Sequence, residues 1–152
     1  MIILCEPQCV GFEHCQVNSA FIAVVREAFP GEELLFLAEE GHLKQVRDLL
    51  DQHNVEITYR QISVPERSLS SLGRYSGDSA LVRTVFETCE GIGAERIAFC
   101  SITCPLMIAI KRLLSGYPQI RCLAVPHGLL RDIARPPIRD RKSTRLNSSH
   151  TV

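Results

Sequence analysis

The chain has no long hydrophobic run. The longest, Cys104 to Ile110, is far short of the roughly 20 apolar residues that span a bilayer. The start, Met1-Ile-Ile-Leu, lacks the basic residues and extended apolar stretch of a secretory signal. No basic amphipathic helix stands out, so membrane association is not indicated. Net charge is also missing: 17 basic side chains balance 17 acidic ones, and no field favours a polyanion, so nucleic acid is not an expected partner. There is no Cys-x-x-Cys, which argues against dithiol redox chemistry. There is no G-x-G-x-x-G either. The first strand–helix connection reads Pro7-Gln-Cys-Val-Gly11-Phe-Glu-His14, with a single glycine where a dinucleotide pyrophosphate needs several. No NAD, FAD or other cofactor is expected.

What the sequence does have is enough length for one domain with a real core: 152 residues. Its seven cysteines are an odd number in a chain without the loop-rich character of a disulfide scaffold. They imply a reducing, cytoplasmic setting. Cys89, on an apolar helix face, and Cys122, in an apolar strand, read as buried thiols acting as small hydrophobes.

Strand and helix patterns alternate. Ile2 to Cys5 reads as a buried strand. Val17, Ala20, Phe21, Val24, Val25 and Ala28 recur at helical spacing, and Pro30-Gly31 ends that helix. A second strand spans Leu34 to Ala38. Leu43, Val46, Leu49 and Leu50 mark a second helix ending at His53-Asn54. Val55 to Ile62 alternates as a third strand. The Ser-, Gly- and Arg-rich stretch from Ser63 to Asp78 reads as a long loop. Val82, Val85, Phe86 and Cys89 give a third helix closed by Gly91 and Gly93. Arg96 to Cys100 is a fourth strand. A helix with Pro105 in its first turn follows from about Thr103 to Gly116, and Ile120 to Val125 is a fifth strand. Pro126-His127-Gly128 then turns into a short helical piece.

Strands separated by helices imply right-handed crossovers and a parallel sheet covered on both faces. The fold class expected is α/β, a Rossmann-like three-layer sandwich of about five strands in the order 3-2-1-4-5. Ligands in such sheets bind beyond the carboxyl ends of the strands, where the winding reverses. The connections after the first, fourth and fifth strands all fall on that rim.

The first of these, "CEPQCVGFEHCQVN" from Cys5 to Asn18, crowds three cysteines, two glutamates and a histidine together. Cys5-x3-Cys9 and Cys100-x3-Cys104 are two equally spaced pairs, and four thiolates hold zinc or an iron–sulfur cluster in other proteins. The common zinc pair has a two-residue gap, however, and Cys5 and Cys100 read as strand ends facing the core. Buried thiols without metal are the expectation. His14, just before the first helix, and His127, just after the fifth strand, both fall on the ligand rim. A histidine there can take a proton from a hydroxyl or hydrogen-bond a sugar. Glu13 can orient His14, bind a ligand or face water. His42 and His53, at the ends of the second helix, read as solvated or helix-capping residues.

The last stretch, "DRKSTRLNSSHTV" from Asp140 to Val152, has no hydrophobic period. From Asp140 to His150 it resembles, residue for residue, one reading frame of a widely used sequencing-library adapter oligonucleotide. The expected organisation is therefore a domain over 1–139, with its natural reading frame cut near Arg139, and a disordered, artefactual tail over 140–152.

With these loops placed, "EPQCVGFEHCQVNSAFIAVVREAFPG", "LFLAEEGHLKQV" and "CLAVPHGLL" resemble the N-terminal domain of a GT-B glycosyltransferase of the family 1 and family 4 type. The resemblance implies sugar transfer from a nucleotide-linked donor to an acceptor hydroxyl. It carries over to Gly11, His14 and His127: in an inverting enzyme His14 is the base that activates the acceptor, while a retaining enzyme needs no such base and His127 contacts the sugar or a phosphate; Glu13 beside His14 joins Gly11 and His127 as a substrate-binding candidate. It implies that most donor contacts come from a second domain that these residues do not include, so the 152-residue chain alone is expected to be inactive. The competing expectation is a non-catalytic Rossmann-like binding module.

Overall fold

The computed structural model describes residues 1–7, 11–63, 71–102 and 104–126. Five strands form one all-parallel sheet: β1 (Ile2–Cys5), β2 (Leu34–Ala38), β3 (Thr58–Gln61), β4 (Arg96–Ile102) and β5 (Arg121–Pro126). Their order is β3-β2-β1-β4-β5. Four helices connect them: α1 (Gly11–Ala28), α2 (Glu40–Asp51), α3 (Ser71–Gly91) and α4 (Cys104–Leu114). The expected Rossmann-like three-layer sandwich and strand order are both present.

The strand periodicity of two sorts the core into two halves. Ile3, Cys5, Leu35, Leu37, Ile97 and Phe99 face one way and pack with Val82, Val85, Phe86 and Cys89 of α3 and with Leu106, Ala109 and Ile110 of α4. Ile2, Leu4, Leu34, Phe36 and Ala98 face the other way, against Cys15 and Ile22 of α1 and Leu43, Val46 and Leu50 of α2. Right-handed crossovers require this division. Moving outward from β1 through β2 to β3 puts α1 and α2 on one face. The return across the sheet to β4 and β5 puts α3 and α4 on the other.

Four boundaries depart from the sequence reading. Helix α1 starts at Gly11, so His14 lies in its first turn and not before it. Helix α3 starts at Ser71, inside the stretch read as loop. Glycines cost about 1 kcal/mol each in a helix, but extending an established helix gains a hydrogen bond per residue. Strand β3 is shorter than Val55–Ile62 because it is an edge strand with only β2 to pair with. Strand β4 runs on to Ile102, past a register irregularity opposite β5.

The inward side of α1 is a further correction. Cys15, Asn18, Ser19 and Ile22 are its buried residues, while Val17 and Val24 from the stripe read as its core face stand largely exposed. The helix is apolar on two sides, and hydropathy does not weigh an asparagine as a core residue. Among the described residues, no helix is long and apolar enough to cross a membrane.

Candidate functional site

One residue beyond β1, Glu6 continues the sheet: its N–H donates to the Leu37 carbonyl at 2.9 Å. The two-residue alternation that turns Ile2 and Leu4 toward α1 and α2 turns Glu6 the same way. Its carboxylate is thus carried into the core at the carboxyl rim, only 1 % exposed. A buried charge is costly unless donors surround it. Asn18, fully buried one helical turn beyond His14 on α1, donates its Nδ2 to Glu6 Oε2 at 2.8 Å.

That bond fixes the amide, because its oxygen would repel the carboxylate. The same Nδ2 lies 2.9 Å from Nε2 of His42, the third residue of α2. Nε2 must therefore accept, and the ring proton sits on Nδ1. Nδ1 in turn lies 3.4 Å from Cys15 Sγ, and the Cys15 thiol donates to Gln45 Oε1 at 3.3 Å. Donation thus runs outward from Asn18, to Glu6 on one side and through His42 and Cys15 to Gln45 on the other, tying α2 and α1 to the end of β1. The Asn18 Oδ1 atom has no hydrogen-bond partner among the described residues.

His42 is 3 % exposed, which corrects its reading as a solvated or capping residue. Burial pushes its pKa down to about 4; the nearby His14 adds to the effect and Glu39 opposes it. It is a neutral acceptor at any ordinary pH. The N-cap of α2 is instead Glu39, whose carboxylate accepts from Gly41 N–H at 3.1 Å. His53, at the other end of α2, is exposed as expected.

His14 stands against this network. Its Nδ1 is 3.7 Å from Glu6 Oε2, an ion-pair distance when the ring is protonated and longer than a hydrogen bond. The side chain is 11 % exposed, so it borders solvent where Asn18 and His42 do not. Chemically, the pair can hold a proton on His14 beside a buried carboxylate. Glu13 is exposed on the first turn of α1 and Gly11 opens that helix. His127 lies outside the described residues. The structure therefore brings together His14 with Glu6, Asn18 and His42, none of which but His14 was singled out from sequence. The missed signal was an acidic residue directly after the first strand, followed by a histidine and an asparagine one helical turn apart.

Apart from Cys15, the described thiols behave as space-filling groups. Burial raises the pKa of Cys5, Cys15 and Cys100; it pushes Cys89 up to about 12 and Cys122 to about 11. Among the described residues, no three His, Cys, Asp or Glu side chains form a metal-binding group. Cys9 and the side chain of Cys104 lie outside the described residues. Compared with known proteins, the chain matches no family model and no curated protein sequence.

Proposed function

We propose that this domain is the acceptor-side half of a glycosyltransferase of GT-B type, working in the cytoplasm, in which His14 is the base that activates the acceptor hydroxyl. The observation that carries the reading is the pairing of a largely buried histidine bordering solvent with a buried carboxylate at the carboxyl end of the central strand. The acceptor O–H hydrogen-bonds the ring nitrogen turned away from Glu6. As the acceptor oxygen bonds to the anomeric carbon, its proton passes to His14. The donor's glycosidic C–O bond breaks, and its electron pair leaves with the nucleotide. Glu6, held by Asn18, stabilises the imidazolium that forms. Gly11 and Glu13 are assigned to the acceptor site, and His127 can contact sugar or phosphate.

The local electrostatics fit an acceptor better than a nucleotide. Glu6, Glu13 and Glu39 gather at the starts of α1 and α2, so these helix ends are poor seats for a pyrophosphate. Donor contacts are assigned to a second domain outside these residues. A non-catalytic Rossmann-like module is the second reading, and the small exposure of His14 favours it.

The test is a panel of nucleotide sugars and hydroxyl acceptors given to this domain extended by the donor-binding domain that the proposal requires. Transfer is expected, with loss of about 10²-fold or more in His14→Ala. The 152-residue chain alone is expected to give none. No transfer by the extended protein across the panel would leave the binding module standing.

A further inference from the structure

The starting ends of β1, β4 and β5 carry a second feature, at the end of the strands opposite Glu6 and His14. The parallel register sets residues in rows across the three strands: Ile2, Arg96 and Arg121 in one, Leu4, Ala98 and Leu123 in the next. Alternation turns both rows toward one face, the face on which Ile2, Leu4 and Ala98 pack with α1. Phe21 and Val25 of α1, with Phe29 just beyond it, wall the rows on one side, and a groove of about 270 Å³ is left beside them. Among the described residues no helix covers β5 on this face, and Leu123 is 56 % and Phe29 44 % exposed. Parallel sheets are nearly always covered on both faces, so the bare apolar floor calls for an occupant.

We propose that this groove binds an amphipathic monoanion, a free medium-chain fatty acid in class, with its carboxylate on Arg121 and its chain over Ala98 and Leu123. Charge complementarity selects the occupant. Arg96 and Arg121 are partners in register on strands about 4.8 Å apart, an arrangement that like charges destabilise. Glu32 pairs with Arg96. Arg121 is exposed and has no salt-bridge partner among the described residues. One guanidinium is thus in excess at one end of an otherwise apolar groove. Its fork can donate two parallel hydrogen bonds to a carboxylate, and an alkyl chain beyond it takes Leu123 and Phe29 out of water. The size points to a small molecule. The volume is close to that of the smallest ligand sites, roughly 300 Å³, and the helical rise from Phe21 to Phe29 is only about 12 Å. The site does not rest on the transferase reading.

Isothermal titration of the full chain with octanoate, below its micelle concentration, tests this. One saturable site is expected, with octan-1-ol and octyltrimethylammonium binding about tenfold more weakly or worse. Arg121→Gln should weaken octanoate about tenfold and leave octan-1-ol unchanged. Leu123→Asp, which puts a carboxylate in the groove, should abolish octanoate binding. Both positions are exposed, and circular dichroism of both variants should stay native. Absence of saturable binding overturns the proposal, as does octanoate binding that Arg121→Gln leaves unchanged. Equal binding of the three ligands is unselective apolar contact and overturns it too. A dimer mass in light scattering that octanoate does not dissociate assigns the groove to a second copy, against the proposal. Cosedimentation with phosphatidylglycerol vesicles without binding of free octanoate assigns it to a membrane surface, also against it.

Discussion

Lowering the pH should destabilise this protein through one residue, His42. In the unfolded chain its imidazole takes a proton near pH 6.5; in the fold it refuses one until about pH 4. Above pH 6.5 both states are neutral and no penalty exists. As the pH falls below 6.5, the unfolded state is favoured, and the loss is complete once the pH reaches the folded value. A gap of roughly 2.5 pH units at 1.36 kcal/mol each is a loss of about 3 kcal/mol, of which about 2 is felt by pH 5. The structural reason is the polar chain. A proton on Nε2 would confront the Asn18 amide N–H donor to donor, and would free Asn18 from the arrangement that holds Glu6. The titratable groups facing the ring are Glu6 beyond β1, His14 and Cys15 on α1, and Glu39 before α2. Glu6 and Glu39 are ionisable as well, so the comparison that isolates His42 is His42→Gln, which keeps an acceptor for Asn18 without a titrating ring. Urea unfolding followed by circular dichroism at steps from pH 7.5 to 4.5 measures it. Wild type should lose stability more steeply than His42→Gln, by about 2 kcal/mol at pH 5. Equal slopes would refute the reasoning, because His42 would then be protonated equally in both states.

Asn18→Leu keeps the side-chain volume but strips Glu6 of a donor, and should cost about 3 kcal/mol or more at pH 7 by urea titration, since it leaves a buried charge poorly matched. Nitrogen NMR of the histidine rings should show His42 as the neutral Nδ1–H tautomer from pH 6 to 8. Alkylation at pH 8 followed by peptide mapping should leave Cys5, Cys89 and Cys100 unlabelled in the fold and label them once urea is added; rapid native labelling of Cys100 would contradict its burial. Phe86→Ala should cost about 3–5 kcal/mol by the same unfolding assay, because Phe86 is fully buried with Phe99 and Tyr117 against its ring.

The fold was legible because its information is periodic. Ile2–Cys5, Leu34–Ala38 and Arg96–Cys100 are apolar runs between helical stripes, and handedness then dictates the sheet order. The helix boundaries were less so: Gly11 and Ser71 start helices in stretches whose composition favours turns. The face of α1 was misjudged for a physical reason. Its buried side is built on Cys15, Asn18 and Ser19, which hydropathy undervalues, while Val17 and Val24 are apolar and exposed. The site was half legible. His14 on the rim follows from topology alone. The burial of Glu6 does not, because a charged residue after a strand normally faces water; only its alternation with Leu4 turns it inward, and only Asn18, from another element, makes that burial tolerable. His42 likewise depends on α2 lying against α1, a relation between distant segments.

The claim that most needs testing is that His14 accepts a proton from the acceptor. The direct measurement is the pH dependence of kcat/KM for sugar transfer by this domain together with the donor-binding domain that the proposed function requires, in wild type and in His14→Gln. The account expects a rate that rises as a single group loses its proton, and in His14→Gln a rate lower by about 10²-fold or more, with that rise gone and the donor KM little changed. A His14→Gln enzyme with the wild-type rate and the same profile would contradict it.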